Sequence, residues 1–541
     1  MTRAHTEKQS SMRTTRWLSV AAACATLVAA ACNPDSLTNL NKNPNSPTDV
    51  PPGPLFTEAA RLTTARWLGA GYDLRQTEFV IQHEAEVQYP DEDIYKRLDA
   101  GSTEGTFDNP YFQELEDLTK IIAKGRAAND AGVWAPAEIL RALGFVYITN
   151  TYGAVPYFQA LAGDSVGGAL NPVYDSQQSI YADLFSRLDA AITALAGASN
   201  SLHNADPIYG GDPAAWAKLG NSLRARMAIT IVDVDAATAN TQLTAAINGP
   251  GGLITSNADN ATFNWPGDGV YDNPWSVNFQ GRDDNRVSKS LVRMLDSTSD
   301  PRVSVYAQVP DRDTVPNNAV VYKYCPGASC YVGLQNGLDQ ATAGPWVPYT
   351  SRPSFLFYPP VSSYAQFPGA SGQSFPSFLF TAAEGNFILA EASQRSLGGL
   401  TPATAATYYN AGIQASMAQW GVTNAGAIAA YIAGPNVAYV PGTTGLIRIA
   451  GQKWLALYAD GGTAWTEWRR TCQPSIIRPG PLAILPTVPQ RFMYSPKEYT
   501  VNRVNVEAAI ADQGEDALTT PLYFAANRTS APTAAGGAAC H

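Results

Sequence analysis

The segment Asp206-Pro207-Ile208-Tyr209-Gly210-Gly211-Asp212-Pro213-Ala214-Ala215-Trp216-Ala217-Lys218-Leu219-Gly220-Asn221-Ser222-Leu223-Arg224-Ala225-Arg226-Met227 says more about the architecture than any other part of the chain. It reads as a loop feeding a helix. Asp212 is placed to cap the helix N-terminus, and Pro213 suits the first helical position because its missing N–H costs nothing there. Trp216, Leu219, Leu223 and Met227 then recur at helical spacing. That spacing predicts one buried face.

Helical patterns flank this segment on both sides. Ile139, Leu140, Leu143, Val146 and Tyr147 share a face. Asp175 is positioned to cap a helix with Gln178 at its third position, and Ile180, Leu184, Leu188, Ile192 and Leu195 form the stripe behind it. Further on, Phe380–Arg395 and Ile447–Tyr458 read as helices. Thr401-Pro402 opens another, with Tyr409, Ile413, Met417 and Trp420 as its stripe and Gly421 as its end. Between about 250 and 375 the composition shifts to Gly, Pro, Asn and aromatics, and helical periodicity fades. Long loops of this kind carry function on a rigid scaffold, or form an irregular part packed on the helices.

The chain has 541 residues and is 45% hydrophobic, enough for one large domain or two to three smaller ones. Its net charge is −10. Setting aside residues 1–31, which hold four basic residues and one acidic residue, leaves 32 Lys and Arg against 45 Asp and Glu. An acidic chain without a basic stripe is a poor nucleic-acid binder. The N-terminus reads as a targeting segment. Arg3, Lys8, Arg13 and Arg16 precede an apolar stretch from Trp17 to Ala31, too short for an ordinary membrane-spanning helix. Val28-Ala29-Ala30-Ala31-Cys32 resembles a lipoprotein cleavage site, with Ala29 where Leu is usual. Cys32 is therefore the expected lipidation site; the alternative is an ordinary signal peptide cut near Ala31. No later run reads as long and apolar enough to cross a membrane. With Cys24 lost in the signal peptide, Cys325, Cys330, Cys472 and Cys540 remain, an even number that favours two disulfides in an exported protein. Cys325 and Cys330 bracket a turn-rich Pro326-Gly327-Ala328-Ser329.

Catalytic and metal signals are weak. Gly163-Asp164-Ser165-Val166-Gly167 fits G-x-S-x-G in form but lacks the flanking strand and helix of a nucleophile elbow. His83-Glu84 is followed by Val87 where a zinc protease motif needs a second His. Asp91-Glu92-Asp93 reads as a solvated acidic loop. No catalytic residue, metal site or cofactor site is expected. A helical glycan-degrading enzyme needs only two carboxylates across a cleft, and it stands as the alternative reading.

The pattern D-x-x-Y-x-G-D-x-x-x-W-x-K-x-x-N-S-L-R-x-R over Asp206–Arg226 resembles a block of SusD/RagB-like outer-membrane lipoproteins. Further blocks agree nearly end to end. Leu40–Pro47 is similar to the family leader. Asn150–Ala160 is similar to D-x-Y-G-D-V-P-Y-x-x-A, with Asn150 and Ala154 replacing its acids. Asp283–Arg302 is similar to the segment ending D-P-R. Ala383–Ala392 is similar to A-E-x-x-F-I-L-A-E-A. Gln452–Leu457 with Ala464–Arg470 is similar to Q-K-W-x-A-L…A-W-x-E-W-R-R, and Arg491–Glu498 to R-x-x-Y-P-x-x-E.

This resemblance implies a mainly α fold of tetratricopeptide-like helix pairs with a loop-rich irregular portion. It implies a substrate-binding lipoprotein at the bacterial outer membrane, facing the exterior. Such a protein captures an oligosaccharide or peptide and delivers it to a SusC-like TonB-dependent transporter, without catalysis. The expected organisation is a signal peptide at 1–31, a lipidated Cys32 with a tether at 32–54, one domain at 55–525 containing the 250–375 insertion, and a loose tail at 526–541. Sugar rings stack on exposed aromatic faces, so the aromatic loops are the candidate ligand contacts. They are Trp265, Tyr271 and Trp275 in one loop and Tyr89 and Tyr95 in a second, expected to face the first across a cleft. Gly and Pro in the Trp265–Trp275 loop argue for exposure of its rings; the alternative is that Trp265 and Trp275 pin that loop to the scaffold.

Overall fold

Asp212 caps its helix as the sequence suggests. Its carboxylate accepts hydrogen bonds from the amides of Ala214 (2.8 Å) and Ala215 (3.4 Å), and Pro213 begins a helix over Pro213–Thr230. The computed structural model describes residues 50–163, 167–312, 314–316, 318–358 and 371–526. Cys32, Ser165, Cys540, the signal segment, most of the tether and the C-terminal tail lie outside the described residues.

The longer α-helices are α1 (Pro52–Trp67), α2 (Glu104–Phe112), α3 (Glu114–Ala127), α4 (Ala131–Tyr152), α5 (Gln177–Leu195), α6 (Pro213–Thr230), α7 (Ala236–Asn248) and α8 (Pro274–Gly281). They continue with α9 (Lys289–Thr298), α10 (Ala382–Gln394), α11 (Pro402–Gln419), α12 (Ala425–Ile432), α13 (Thr443–Ala456), α14 (Gly461–Thr471) and α15 (Arg503–Gln513). Consecutive helices pack as pairs: α3 on α4, α4 on α5, α5 on α6, α6 on α7, and α10 on α11. Short connections join α3 to α4, α6 to α7 and α10 to α11, which favours their pairing, whereas α4–α5 and α5–α6 pair across longer segments. The fold is mainly α, in helix pairs.

Strand is sparse among the described residues. The strands are β1 (Glu84–Glu86), β2 (Val155–Pro156), β3 (Tyr174–Asp175), β4 (Ala261–Phe263), β5 (Asn285–Val287), β6 (Val321–Tyr324), β7 (Tyr331–Leu334) and β8 (Ser377–Phe380). They form antiparallel two-stranded ladders, β1 with β5, β2 with β3, β4 with β8 and β6 with β7. Cys325 and Cys330, just beyond β6 and just before β7, are joined in a disulfide. Cys472 is also disulfide-bonded.

The signature segment is used almost residue by residue. Asp206 accepts from the Trp216 indole N–H (2.7 Å) and from the amides of Ile208 and Gly211 (both 2.8 Å). Gly211 sits at φ 78°, and a Cβ there would collide with Asn200. Trp216, Leu219, Leu223 and Met227 are all buried. Asn221 donates to the Pro250 carbonyl, and the Ser222 hydroxyl accepts from the Ile254 amide (both 2.8 Å), tying the loop after α7 to α6. Arg226 makes a two-pronged pair with Glu384 of α10 (2.6 and 2.5 Å).

Three local readings differ from the structure. The cap of α5 is Ser176, whose hydroxyl accepts from the Ser179 amide (3.2 Å). Asp175 instead joins β3 and accepts from the amides of Tyr157 and Phe158. Thr401 precedes α11 but makes no side-chain capping bond. And α4, at 22 residues, is long and apolar enough by composition to cross a membrane. It is a core helix here: α3, α5 and α6 pack on it and most of its residues are buried.

Candidate functional site

The loop from Trp265 to Trp275 is held by its own polar groups. Asp268 accepts from the amides of Val270 (2.9 Å) and Tyr271 (2.8 Å), and Asp272 accepts from the Gly269 amide (2.8 Å). Asn273 donates to the Phe375 carbonyl and caps α8 by accepting from the amides of Trp275 and Ser276. Gly267 adopts φ 67°, where a Cβ would strike Ser374. These bonds fix where each ring goes.

The rings divide into two groups. Trp265 is 4% exposed, donates to the Ser377 hydroxyl (2.9 Å) and packs on Phe263. Trp275 is 1% exposed and packs against Phe279, Phe357 and Tyr458. The expected exposure of these two indoles is therefore corrected: Gly and Pro break periodicity, but the neighbouring β8 and the segment around Phe357 still cover them. Tyr271, at the loop tip, is 45% exposed, with the Arg61 guanidinium 5.3 Å from its ring centre.

The second loop shows the same division. Tyr95 is 1% exposed, so its ring is also corrected to the core. Tyr89 is 62% exposed, with Arg282 5.5 Å from its ring centre. Both tyrosines adopt the left-handed backbone conformation, at φ 56° and 69°. That conformation costs a non-glycine residue roughly 1–2 kcal/mol. At Tyr95 burial of the ring offsets the cost. At Tyr89 the ring stays in solvent.

Tyr271 and Tyr89 lie at opposite ends of one short helix. Tyr271 precedes α8 by three residues, and Arg282, which stands over Tyr89, directly follows it. Eight helical residues span about 12 Å, and Val277 on this helix is also exposed. Tyr271 and Tyr89 therefore flank α8 at its two ends, each with a guanidinium near its ring. The loop expected to face Trp265–Trp275 across a cleft thus meets it end to end along α8.

Buried carboxylates anchor the Tyr89 loop, and Glu92 and Asp93 are not the solvated residues the sequence suggests. Asp93 accepts from Asn336 Nδ2 (2.7 Å) and from the amides of Gly337 (3.0 Å) and Glu86 (3.3 Å). Burial pushes its pKa up to about 7 against those bonds. Glu92 pairs with Arg75 (3.0 Å). Glu86 is held up to about 10 by burial and by the neighbouring charges of Glu92, Asp93 and Asp284. Deeper still, burial raises Asp73, Glu78 and Glu84. All of these carboxylates are buried. His83 lies between Glu78 (2.9 Å) and the Trp454 carbonyl (3.0 Å), and burial lowers its pKa to about 3. Among the described residues no cluster of His, Cys, Asp or Glu has the arrangement to hold a metal.

A separate apolar cavity of about 430 Å³ lies between Phe107, Tyr111, Phe112, Leu170 and Val501, with Lys497 paired to Asp108 at its edge. Neither this cavity nor the placement of Arg61 and Arg282 carries a periodic signal in the sequence. A cation approaching a ring is a tertiary fact with no periodic signature. The adjacent Tyr111 and Phe112 before Gln113 were the only local hint of the cavity.

A family model described as "Starch-binding associating with outer membrane" (SusD-like) matches residues 44–495. No curated protein matches the chain in sequence. Among solved structures, a chitin-binding protein is similar at 23% identity, with a TM-score of 0.72, over 88% of this chain and 100% of that one. A chitin-binding SusD homologue from Flavobacterium johnsoniae is similar at 23% identity, with a TM-score of 0.71, over 89% and 98%. A SusD homologue from Bacteroides uniformis is similar at 22% identity, with a TM-score of 0.71, over 87% and 99%.

Proposed function

The chain belongs to the SusD-like family, and on that premise we propose that it captures an oligosaccharide at the outer membrane, with Tyr89 and Tyr271 as its stacking rings. The observation that carries this reading is Tyr89: an aromatic side chain held in solvent on a left-handed backbone, with a guanidinium beside it. A ring left outside the core at that conformational cost is suited to stack on a sugar, while Arg61 and Arg282, paired through Nε and Nη2 with Glu58 and Asp284, keep Nη1 as the donor for hydroxyls. The family's description favours a sugar over a peptide. Burial of the perturbed carboxylates favours binding without turnover over the glycan-degrading alternative.

In this reading Cys32 carries lipid and the segment after it tethers the domain. A tethered binder concentrates a ligand but cannot move it across a bilayer, so a SusC-like TonB-dependent channel is the expected partner. The test of the site is calorimetric titration with starch- and chitin-derived oligosaccharides. Tyr89→Ala and Tyr271→Ala should each weaken binding by ~0.5–1.5 kcal/mol, the size of a good aromatic ring contact. Wild-type affinity in both variants contradicts the assignment.

A further inference from the structure

Another cavity, polar and of about 170 Å³, opens beside the far end of the β1–β5 ladder. Gln82 precedes β1 and Lys289 follows β5, whereas Tyr89 and Arg282 flank the other end of the same ladder. Lys289, Arg293 and Arg478 all line this cavity, and no carboxylate does. The side chains of these three cations form no ion pair with a carboxylate among the described residues, in a chain where acids outnumber bases 46 to 36.

Lys289 and Arg293 have side-chain partners here, and Arg478 is fixed through its backbone. Lys289 Nζ donates to the Ala319 carbonyl and weakly to Gln335 Oε1 (3.4 Å). The Arg293 guanidinium stands 5.5 Å from the centre of the Tyr322 ring. Gln82 donates to the Arg478 carbonyl and accepts from the Ser290 hydroxyl (2.7 Å), so the wall between the cations is bonded through. Burial and the nearby charge of Arg293 together push the Lys289 pKa down. Like charges around one cavity repel, and an entering anion relieves that repulsion. Guanidinium groups bind carboxylates and sulfates through paired N–H donors, and the surrounding amides suit hydroxyls.

We infer that this cavity is a subsite for the carboxylate or sulfate group of an acidic saccharide, so that the ligand class includes uronate- or sulfate-bearing glycans. The inference rests on the saccharide-binding reading above. Its volume admits about one sugar unit with its charged substituent, not a folded partner.

The test uses the full mature chain on an array of uronate-bearing, sulfate-bearing and neutral oligosaccharides, with affinities then measured in solution. Arg293 and Arg478 are exposed, so Arg293→Gln/Arg478→Gln should fold as the wild type does, checked by its melting curve. The expected result is wild-type binding of acidic saccharides that weakens with added salt and falls at least tenfold in the double variant, with any neutral-glycan affinity unchanged. Wild-type binding of neutral saccharides alone, or an acidic-saccharide affinity untouched in the double variant, overturns the subsite and leaves the saccharide-binding reading standing. Binding of no saccharide by the wild type overturns that reading, and the subsite with it.

Discussion

Arg226 and Glu384 lie 158 residues apart and meet in a buried two-pronged ion pair that clamps α6 to α10. Arg226 also donates to the Leu379 carbonyl (3.1 Å). Removing one partner strands the other charge in the core, a loss of roughly 3–5 kcal/mol. Glu384→Ala should therefore lower unfolding stability on that scale, measured by denaturant titration. Arg226→Met/Glu384→Leu should recover much of the loss, because a packed apolar pair leaves no orphaned charge. A Glu384→Ala variant within about 1 kcal/mol of the wild type would refute this role.

The indoles and the exposed tyrosines should separate cleanly. Trp265→Ala and Trp275→Ala empty buried, well-contacted positions and should cost about 3–5 kcal/mol of stability. Tyr89→Ala and Tyr271→Ala should leave the melting temperature within a few degrees of the wild type. Thermal melts of all four variants decide the matter. Stable indole variants would return Trp265 and Trp275 to the ligand.

That contrast marks how far the sequence could be read. The recurring motif residues turn out to be structural fasteners. Arg470 pairs with Glu391 through two bonds of 2.7 Å and with Glu467. Arg302 pairs with Asp300 and also reaches Gln452 (2.9 Å). Asp206 holds the Trp216 indole. Such residues need fixed identities at fixed spacings, so family and fold were legible. Where the motif departs, at Asn150, the amide oxygen accepts from the Tyr181 hydroxyl (2.7 Å), a bond that needs no acid. Ring exposure was not legible. Tyr89 and Tyr95 are six residues apart, share a loop and a backbone conformation, and end on opposite sides of the surface. The outcome depends on what packs over each ring, and those elements come from distant parts of the chain. Caps slipped for a simpler reason: Asp175 and Ser176 are adjacent, and either can accept an amide N–H.

Stability should depend on pH through Glu86. In an unfolded chain a Glu titrates near ~4.3; in the fold this one is held up to about 10. The native state therefore binds the extra proton. That contribution is complete below the unfolded value and is lost as pH rises toward the folded one. Glu86→Gln removes the dependence. Its unfolding free energy relative to the wild type, from denaturant titrations at each pH, should rise steadily from pH 5 to pH 9, by at least ~1 kcal/mol at the alkaline end. Parallel pH profiles of the two proteins would contradict this.

Anchoring should depend on Cys32. A lipidated N-terminus holds a chain at a membrane when more than one acyl chain is present. Cys32→Ser should move the protein from the membrane fraction to the soluble fraction, or block its maturation. Unchanged fractionation, with no acyl mass on the mature N-terminus, would remove the lipid anchor from the account.

The claim that this SusD-like chain binds saccharide without breaking it is tested most directly on one sample. Purified mature protein is titrated with oligosaccharides by calorimetry, and the same mixtures are assayed for new reducing ends. The account predicts saturable binding to at least one saccharide, weakened in Tyr89→Ala, with reducing ends constant over hours. Sustained release of reducing ends, or no saccharide binding at all, would contradict it.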